Sequence, residues 1–395
     1  MMLTGVATSQ SVVNNSQSQT QPVTTSETLN VVDVSGATTG VTDSTGNTLT
    51  GAVTSGSLAV TSNQSLTADV TSNSQLNVVT YTGSATLNTA STGNGVDVET
   101  VTGGGPVTGT LTQTVGAVNV LATNSVSASG AQTQAGSIST GTQAIANSIG
   151  VATDSSPVTV TTSQSSAAVT NAEDGGTLTY TPGAAAFTAT AVSNNLTGTG
   201  SGGANQTYNA TQSTTGALTQ AGEYAYFGNA QTPQTAATAS DNNISLSGQS
   251  GALNVVDNQT NTTYTQAETI LSSYEFGAAQ ASAYGVGNSV LAANAGPSMS
   301  LDNTQTNSGG VVANASFIGN NGYDATSSAT AMGNAATGFA CSDCGGVISV
   351  NNNQLNTGGV SATSSISIGA SNRSVTGTAS AVGNNATFYV SKPSN

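Results

Sequence analysis

An all-β, elongated solenoid is the fold class this sequence predicts, and three observations predict it. Eight glutamines, Gln17, Gln64, Gln113, Gln164, Gln212, Gln259, Gln305 and Gln354, recur at intervals of 46 to 51 residues, which marks a repeat array. Two further landmarks keep the same phase. The glycines Gly36, Gly83, Gly136, Gly183, Gly228, Gly277, Gly319 and Gly369 follow the glutamines in order, and after each comes a Gly-Asn or a lone Asn: Gly46-Asn47, Gly93-Asn94, Asn147, Asn194, Asn242, Gly287-Asn288, Gly333-Asn334 and Gly383-Asn384. Finally, small and apolar residues alternate with Thr and Ser, as Phe187, Ala189 and Ala191 do with Thr188 and Thr190. That is the period of a strand with one buried face.

Most of the glutamines carry a large apolar residue four positions upstream (Val13, Val60, Val160, Tyr208, Val255, Leu301, Val350), and several carry another at minus six (Leu58, Val158, Leu253, Met299, Ile348). Only Gln113 departs, with Gly109 at minus four. Stacked amides hydrogen-bond along a solenoid axis and fix the register of successive coils, so the eight glutamines are expected to form a structural ladder. The Gly-Asn pairs are expected at corners, because both residue types reach positive φ at little cost. Four strand-like segments fit each of about eight repeats of roughly 47 residues, which allows two coils of about 24 residues or one large coil per repeat. The small coil is expected, being easier to fill. With coils about 4.8 Å apart, sixteen small ones would span about 77 Å and eight large ones about 38 Å.

Composition divides the array without a linker. Residues 1–180 hold about four thin Val/Thr-rich units, and Tyr81 is their only aromatic residue before Tyr180. Residues 181–395 hold about four units with aromatic anchors such as Tyr226, Phe227, Tyr274, Phe276, Phe317, Phe388 and Tyr389. No window has helical periodicity, and no apolar run reaches the length of a membrane-spanning helix. The first residues lack a basic region and an apolar core, so no signal peptide is visible. A polar, Lys-poor repeat array nonetheless points to the cell exterior.

The charge balance excludes several function classes. Net charge is −15, with only Arg373 and Lys392 basic, which argues against nucleic acid and anionic lipid and favours cationic partners. Histidine is absent, so there is no Ser-His-Asp or Cys-His arrangement, no imidazole base and no zinc site of ordinary composition. The carboxylates are scattered, with Glu173-Asp174 the one adjacent pair. Neither the Gly-Gly-x-Gly-x-Asp calcium pattern nor an EF-hand spacing occurs. No enzyme activity and no cofactor are expected. Cys341 and Cys344 lie in an insertion loop near 338–346 and are expected to close it as a short disulfide, in keeping with an oxidising setting. A self-assembling amyloid-like matrix or fibre subunit is the alternative function, since terminal coils would offer unpaired strand edges.

Several stretches carry a family resemblance. They are Ser273-Tyr274-Glu275-Phe276-Gly277-Ala278-Ala279, Asp302-Asn303-Thr304-Gln305-Thr306-Asn307, Asn321-Gly322-Tyr323-Asp324-Ala325, Cys341-Ser342-Asp343-Cys344-Gly345-Gly346 and Gly383-Asn384-Asn385-Ala386-Thr387-Phe388-Tyr389-Val390. Over roughly 270–395 the chain resembles the holdfast anchor protein D (HfaD) family of stalked bacteria; residues 1–180 share only its general style. The resemblance implies a surface protein at the cell pole that anchors an adhesive polysaccharide, the holdfast, to the outer membrane. It also implies other holdfast anchor proteins as partners, namely a secretion lipoprotein related to curli exporters and a second small anchor protein, with homo-oligomers allowed. On that basis Asp257, Asp302 and Asp324 are expected to pair with ammonium groups of a cationic amino-sugar polymer, many weak contacts summing by multivalency.

Overall fold

The computed structural model describes residues 10–101, 103–130, 132–341 and 346–391. Among the described residues every regular element is a β-strand, and the chain winds through eight coils, each a short strand followed by a long one. The first four coils are β1 (Gln10–Gln19) with β2 (Val23–Val53), β3 (Gly56–Leu66) with β4 (Val70–Thr100), β5 (Gly104–Val115) with the split pair β6 (Asn119–Ala128) and β7 (Gln134–Asp154), and β8 (Val158–Ser166) with β9 (Val169–Ser201). The last four are β10 (Gln206–Thr214) with β11 (Leu218–Gly248), β12 (Ala252–Asn261) with β13 (Tyr264–Asn294), β14 (Ser298–Asn307) with β15 (Val311–Cys341), and β16 (Val347–Asn356) with β17 (Val360–Ser391). Short strands pair in parallel only with short strands, and long with long, so two sheets run side by side through the molecule. Both pass residue 180 without interruption: β9 contains it.

Each repeat is therefore one large coil, not two small ones. The small coil was expected because small side chains fill a wide interior poorly, and the long strand removes that difficulty by folding back on itself. Within β9 the Thr170 and Ser193 hydroxyls hydrogen-bond, and a Cβ built on Gly176 would lie 3.1 Å from the Phe187 ring. The two arms of the long strand thus face each other across one narrow core, which includes Leu66, Leu87, Phe187, Phe227, Phe276 and Phe317. A second narrow core, with Leu58, Val160, Tyr208, Leu246, Val255 and Leu301, lies between the short strand and the end of the long one. At about 4.8 Å per coil the eight span about 38 Å.

Between the two cores stand two amide ladders. Every glutamine from Gln64 to Gln354 donates its Nε2 to the Oε1 of the glutamine one coil earlier, at 2.7 to 2.9 Å. The second N–H of each crosses to a carbonyl of the facing long strand, for example Gln164 to Asn195. The asparagines form the opposite ladder: Asn47, Asn94, Asn147, Asn194, Asn242, Asn288 and Asn334 each donate Nδ2 to the Oδ1 one coil later, at 2.7 to 2.9 Å. Asn147 also donates to the Ser165 carbonyl of the next short strand. The glutamines thus tie a coil to itself, and the asparagines tie it to its successor. Every ladder amide of the inner coils is satisfied, so burying it carries no orphan penalty.

The Asn positions are consequently not positive-φ corners. Positive φ occurs among the described residues at Gly56, Gly103, Gly202, Gly203, Ser155 and Ser250, all in or beside connections. The Gly-Asn pairs lie inside the long strands without positive φ, and glycine serves close approach there: a Cβ on Gly93 would lie 2.4 Å from the Ala146 carbonyl oxygen. The earlier glycine landmark also separates. Gly83, Gly136 and Gly183 stack at the tip of the coil, each within 2.2 Å, measured from a built Cβ, of a carbonyl oxygen below. Gly228 stacks instead on Thr179, and Gly319 faces the Phe276 ring.

Replacing Gln164 by Leu leaves the Gln113 Oε1, the Gln212 N–H and the Asn195 carbonyl without partners. At about 1–3 kcal/mol for each buried orphan, partial relaxation should leave a loss of about 3 kcal/mol, read as a lower urea midpoint. The same change at Gln354, in the last coil and only part-buried, should cost under half of that.

Candidate binding surface

Strand alternation decides which predicted contacts can meet a ligand. In β12 the inward residues are Leu253, Val255, Asp257, Gln259 and Asn261. Asp257 has the same parity as the ladder glutamine two residues on, so it points into the second core. It is 2% exposed, neither carboxylate oxygen has a hydrogen-bond partner, and burial pushes its pKa well above the usual carboxylate range. Asp257 is an interior acid and not a surface contact. Asp302, three residues before Gln305, has the opposite parity and is exposed on β14, where it accepts from Asn351 Nδ2 at 2.9 Å. Asp324 lies half-buried near the tip, accepts from Ser374 and pairs with Arg373 at 3.3 Å. The three belong to different places in the coil and do not converge.

Cys341 is buried at the end of β15. Its expected partner Cys344 lies outside the described residues. The aromatic anchors also divide. Phe227, Phe276 and Phe317 are core, with edge-on ring pairs Phe187–Phe227 and Phe276–Phe317 at 6.0 and 4.9 Å. Tyr226, Tyr274 and Tyr389 are exposed and anchor nothing inside.

The tip of the coil gathers what the sequence left scattered. Register places Tyr81, Gln134, Tyr180, Asn229, Glu275 and Asn321 one above another on successive long strands. Over the later coils this column borders an open groove of about 350 Å³ lined by Tyr180, Pro182, Asn229, Gln231, Glu275 and Tyr323. Tyr180 and Tyr323 are 44% and 50% exposed, and Tyr274 beside Glu275 is 61% exposed. Aromatic faces, amides and one carboxylate, set one per coil, can stack on and hydrogen-bond to an extended polar polymer lying along the axis. The sequence signal was available: every one of these residues lies a few positions from the tip glycines.

Three further acids are interior. Asp174 and Glu223 are register partners on β9 and β11, both fully buried, and none of their four oxygens has a hydrogen-bond partner. Burial raises Asp174 to about 7, with polar groups of Thr140, Gly175, Thr188 and Asn124 only partly opposing it. Burial and the Asp174 charge raise Glu223 well above its ordinary value. Asp241 accepts from Asn261 Nδ2 at 2.7 Å and from the Thr265 hydroxyl, yet burial still raises it to about 7. Among the described residues no three acidic or cysteine side chains gather as a metal-binding set.

Fold and surface together define an all-β, parallel, amide-laddered solenoid with a ridge of tyrosines and amides at its tip. The family model described as Holdfast attachment protein D matches residues 2–103 and 32–310. The chain belongs to that family. The match reaches through the thin N-terminal units, which share only the general style of the motifs, whereas the Cys segment and the terminal aromatic strand lie beyond it. No curated protein matches this chain, and no solved structure does.

Proposed function

We propose that this chain is a non-catalytic tether that holds an adhesive polysaccharide, the holdfast, at the outer membrane of the cell pole. The observation that carries this reading is the tip column, where Tyr81, Gln134, Tyr180, Asn229, Glu275 and Asn321 follow one another along the axis, one per coil, beside the exposed Tyr274 and Tyr323. Family membership gives attachment; the column supplies a surface chemically suited to sugar. Tyrosine rings cover the apolar faces of pyranose units, and the amides meet their hydroxyls. Glu275, with the exposed carboxylates Glu173 and Asp302 elsewhere on the surface, favours a polymer with free ammonium groups. The other holdfast anchor proteins are the partners that fit this role. Each contact is weak, and the array gains avidity by repetition.

The test is binding of purified chain to holdfast polysaccharide, with chitosan as the cationic surrogate. Replacing Tyr180, Tyr274 and Tyr323 together by Ala should weaken binding at least tenfold, about 1.4 kcal/mol, while far-UV circular dichroism stays unchanged, since all three side chains are largely exposed. Full binding by the triple variant would remove the tip from the site, and absence of binding by the wild-type chain would overturn the reading itself. Re-acetylating the chitosan should weaken binding if charge contributes.

A further inference from the structure

We propose that the interior of the fourth and fifth coils binds a calcium ion between the Asp174 and Glu223 carboxylates. The inference starts from a file of polar residues that runs along the first core. Register sets Glu27 beside Ser74, Ser74 beside Asn124, Asp174 beside Glu223 and Glu223 beside Thr269, one per coil. Asn124 meets Asp174, because Thr123 and Val126 on either side of it pair with Glu173 and Gly176. The early members find partners across the core. Thr42, on the returning arm of β2, reaches both Glu27 and Ser74, while Asn124 accepts from Thr89 and donates to the Gly141 carbonyl at 3.1 Å. From Asp174 onward that provision stops. Asp174, Glu223 and Thr269 are fully buried, and none of their five side-chain oxygens has a hydrogen-bond partner. Thr140, whose hydroxyl acts on the Asp174 carboxyl, is likewise buried without one.

Buried oxygens gathered in this number without a donor are costly unless a cation meets them. Two carboxylates balance a divalent charge, and an all-oxygen set suits a hard ion. The spacing fits as well. Coils lie about 4.8 Å apart and calcium sits about 2.4 Å from its ligands, so an ion level with Glu223 is within reach of Asp174 from one side and Thr269 from the other. The carboxylates supply four of the six to eight oxygens that calcium takes, and the Thr269 hydroxyl a fifth. Magnesium, which demands a strict octahedron and keeps its waters, suits this dry interior poorly. A way in lies on the outer face, where an open groove of about 560 Å³ is lined by Ser125, Glu173, Gly175, Gly176 and Tyr224 and extends to Asp174 itself. The two glycines put no side chain in its wall, and the exposed Glu173 draws cations to it. No linear motif announces such a site, because each ligand comes from a different coil. Ion and protons compete for the same oxygens: in chelator the two acids take up protons, and in calcium they ionise. The site is separate from the tip ridge and does not depend on its role.

The test is calcium binding by the full chain at neutral pH, followed by equilibrium dialysis with radioactive calcium and by thermal unfolding in chelator and in calcium. The wild-type chain should bind about one ion with a dissociation constant on the order of 10⁻⁴ M, as extracellular sites do. Calcium at about a hundred times that constant should raise the unfolding midpoint by about 3 °C, and magnesium should leave it nearly unmoved. Asp174→Asn and Glu223→Gln keep side-chain size and remove one ligand charge each. In chelator both should be folded, with midpoints at or above that of the wild type, since each removes a buried acid; both should bind calcium at least tenfold more weakly and lose the shift. Thr269→Val should weaken binding by a smaller factor. Glu173→Gln, the outward neighbour, should bind like the wild type. Absence of binding by the wild-type chain would overturn the proposal, and so would an equal calcium shift in Asp174→Asn and Glu223→Gln, which would assign the effect to screening of a net charge of −15. Equal stabilisation by magnesium, or loss of binding in Glu173→Gln, would also overturn it, the latter by moving the ion to the outer face.

Discussion

Gly136→Val should abolish the stable fold of the central coils. A Cβ at Gly136 would lie 2.1 Å from the Gly83 carbonyl oxygen, and one at Gly183 would lie 2.1 Å from that of Gly136. Contacts that short are with backbone, which cannot swing aside as a side chain can. To admit valine, three stacked coils would have to part at the tip, opening the ladder hydrogen bonds around β4, β7 and β9. The expected loss exceeds about 4 kcal/mol, the range reserved for named structural failures. In a nearest-neighbour array it should split the unfolding transition, with the coils on the two sides melting separately. Gly36→Val is the control: a Cβ there meets nothing within 4 Å, and its transition should remain close to that of the wild type. A Gly136→Val chain with a wild-type melting curve would mean that the tip does not hold this close stack.

How much of this was legible in the sequence depends on which contacts repeat. The glutamine spacing gave the coil register outright, because a ladder demands one amide per coil at one place, and each glutamine is paired with its predecessor. Coil size was not legible from the same spacing. A period of about 47 residues is silent on whether the chain turns once or twice within it, and the evidence for a folded-back arm, such as Gly176 against Phe187, is a contact between residues with no periodic relation. The burial of Asp257 was legible in its parity: two residues before a ladder glutamine is the inward face, and three, as for Asp302, is the outward face. Glu173-Asp174 carried a similar signal. Adjacent residues of a strand point to opposite faces, so one of that pair had to be buried. The tip ridge was hidden because its members come one from each coil, and only the register across the glycine kink brings Tyr180, Asn229 and Glu275 into line.

The buried acids should make the fold most stable in mild acid, against the usual behaviour of carboxylates. The sign follows from which state holds the proton. In the unfolded chain Asp174 and Asp241 ionise near the ordinary aspartate value of 3.8, whereas in the folded coil burial raises both to about 7. Between those values the folded state binds more protons, so stability falls as pH rises. It is complete below the unfolded pKa and is lost as pH climbs through the folded one. Each group contributes on the order of 4 kcal/mol over that window, at 1.36 kcal/mol per unit. Glu223 and Asp257, raised well above their ordinary values by burial, add to the decline. Urea midpoints should therefore drop steadily from pH 4 to pH 8. General repulsion in a chain of net charge −15 acts in the same direction, so the discriminating measurement is a substitution. Asp174→Asn removes one titration and the Coulomb pressure on Glu223 without changing side-chain volume. It should leave stability at pH 4 nearly unaltered, raise it at pH 8 and flatten the profile between. Asp302→Asn removes an equal charge from the exposed face of β14 and should leave the slope close to that of the wild type. If the two variants gave the same profile, surface repulsion would account for the pH dependence and the interior acids would not.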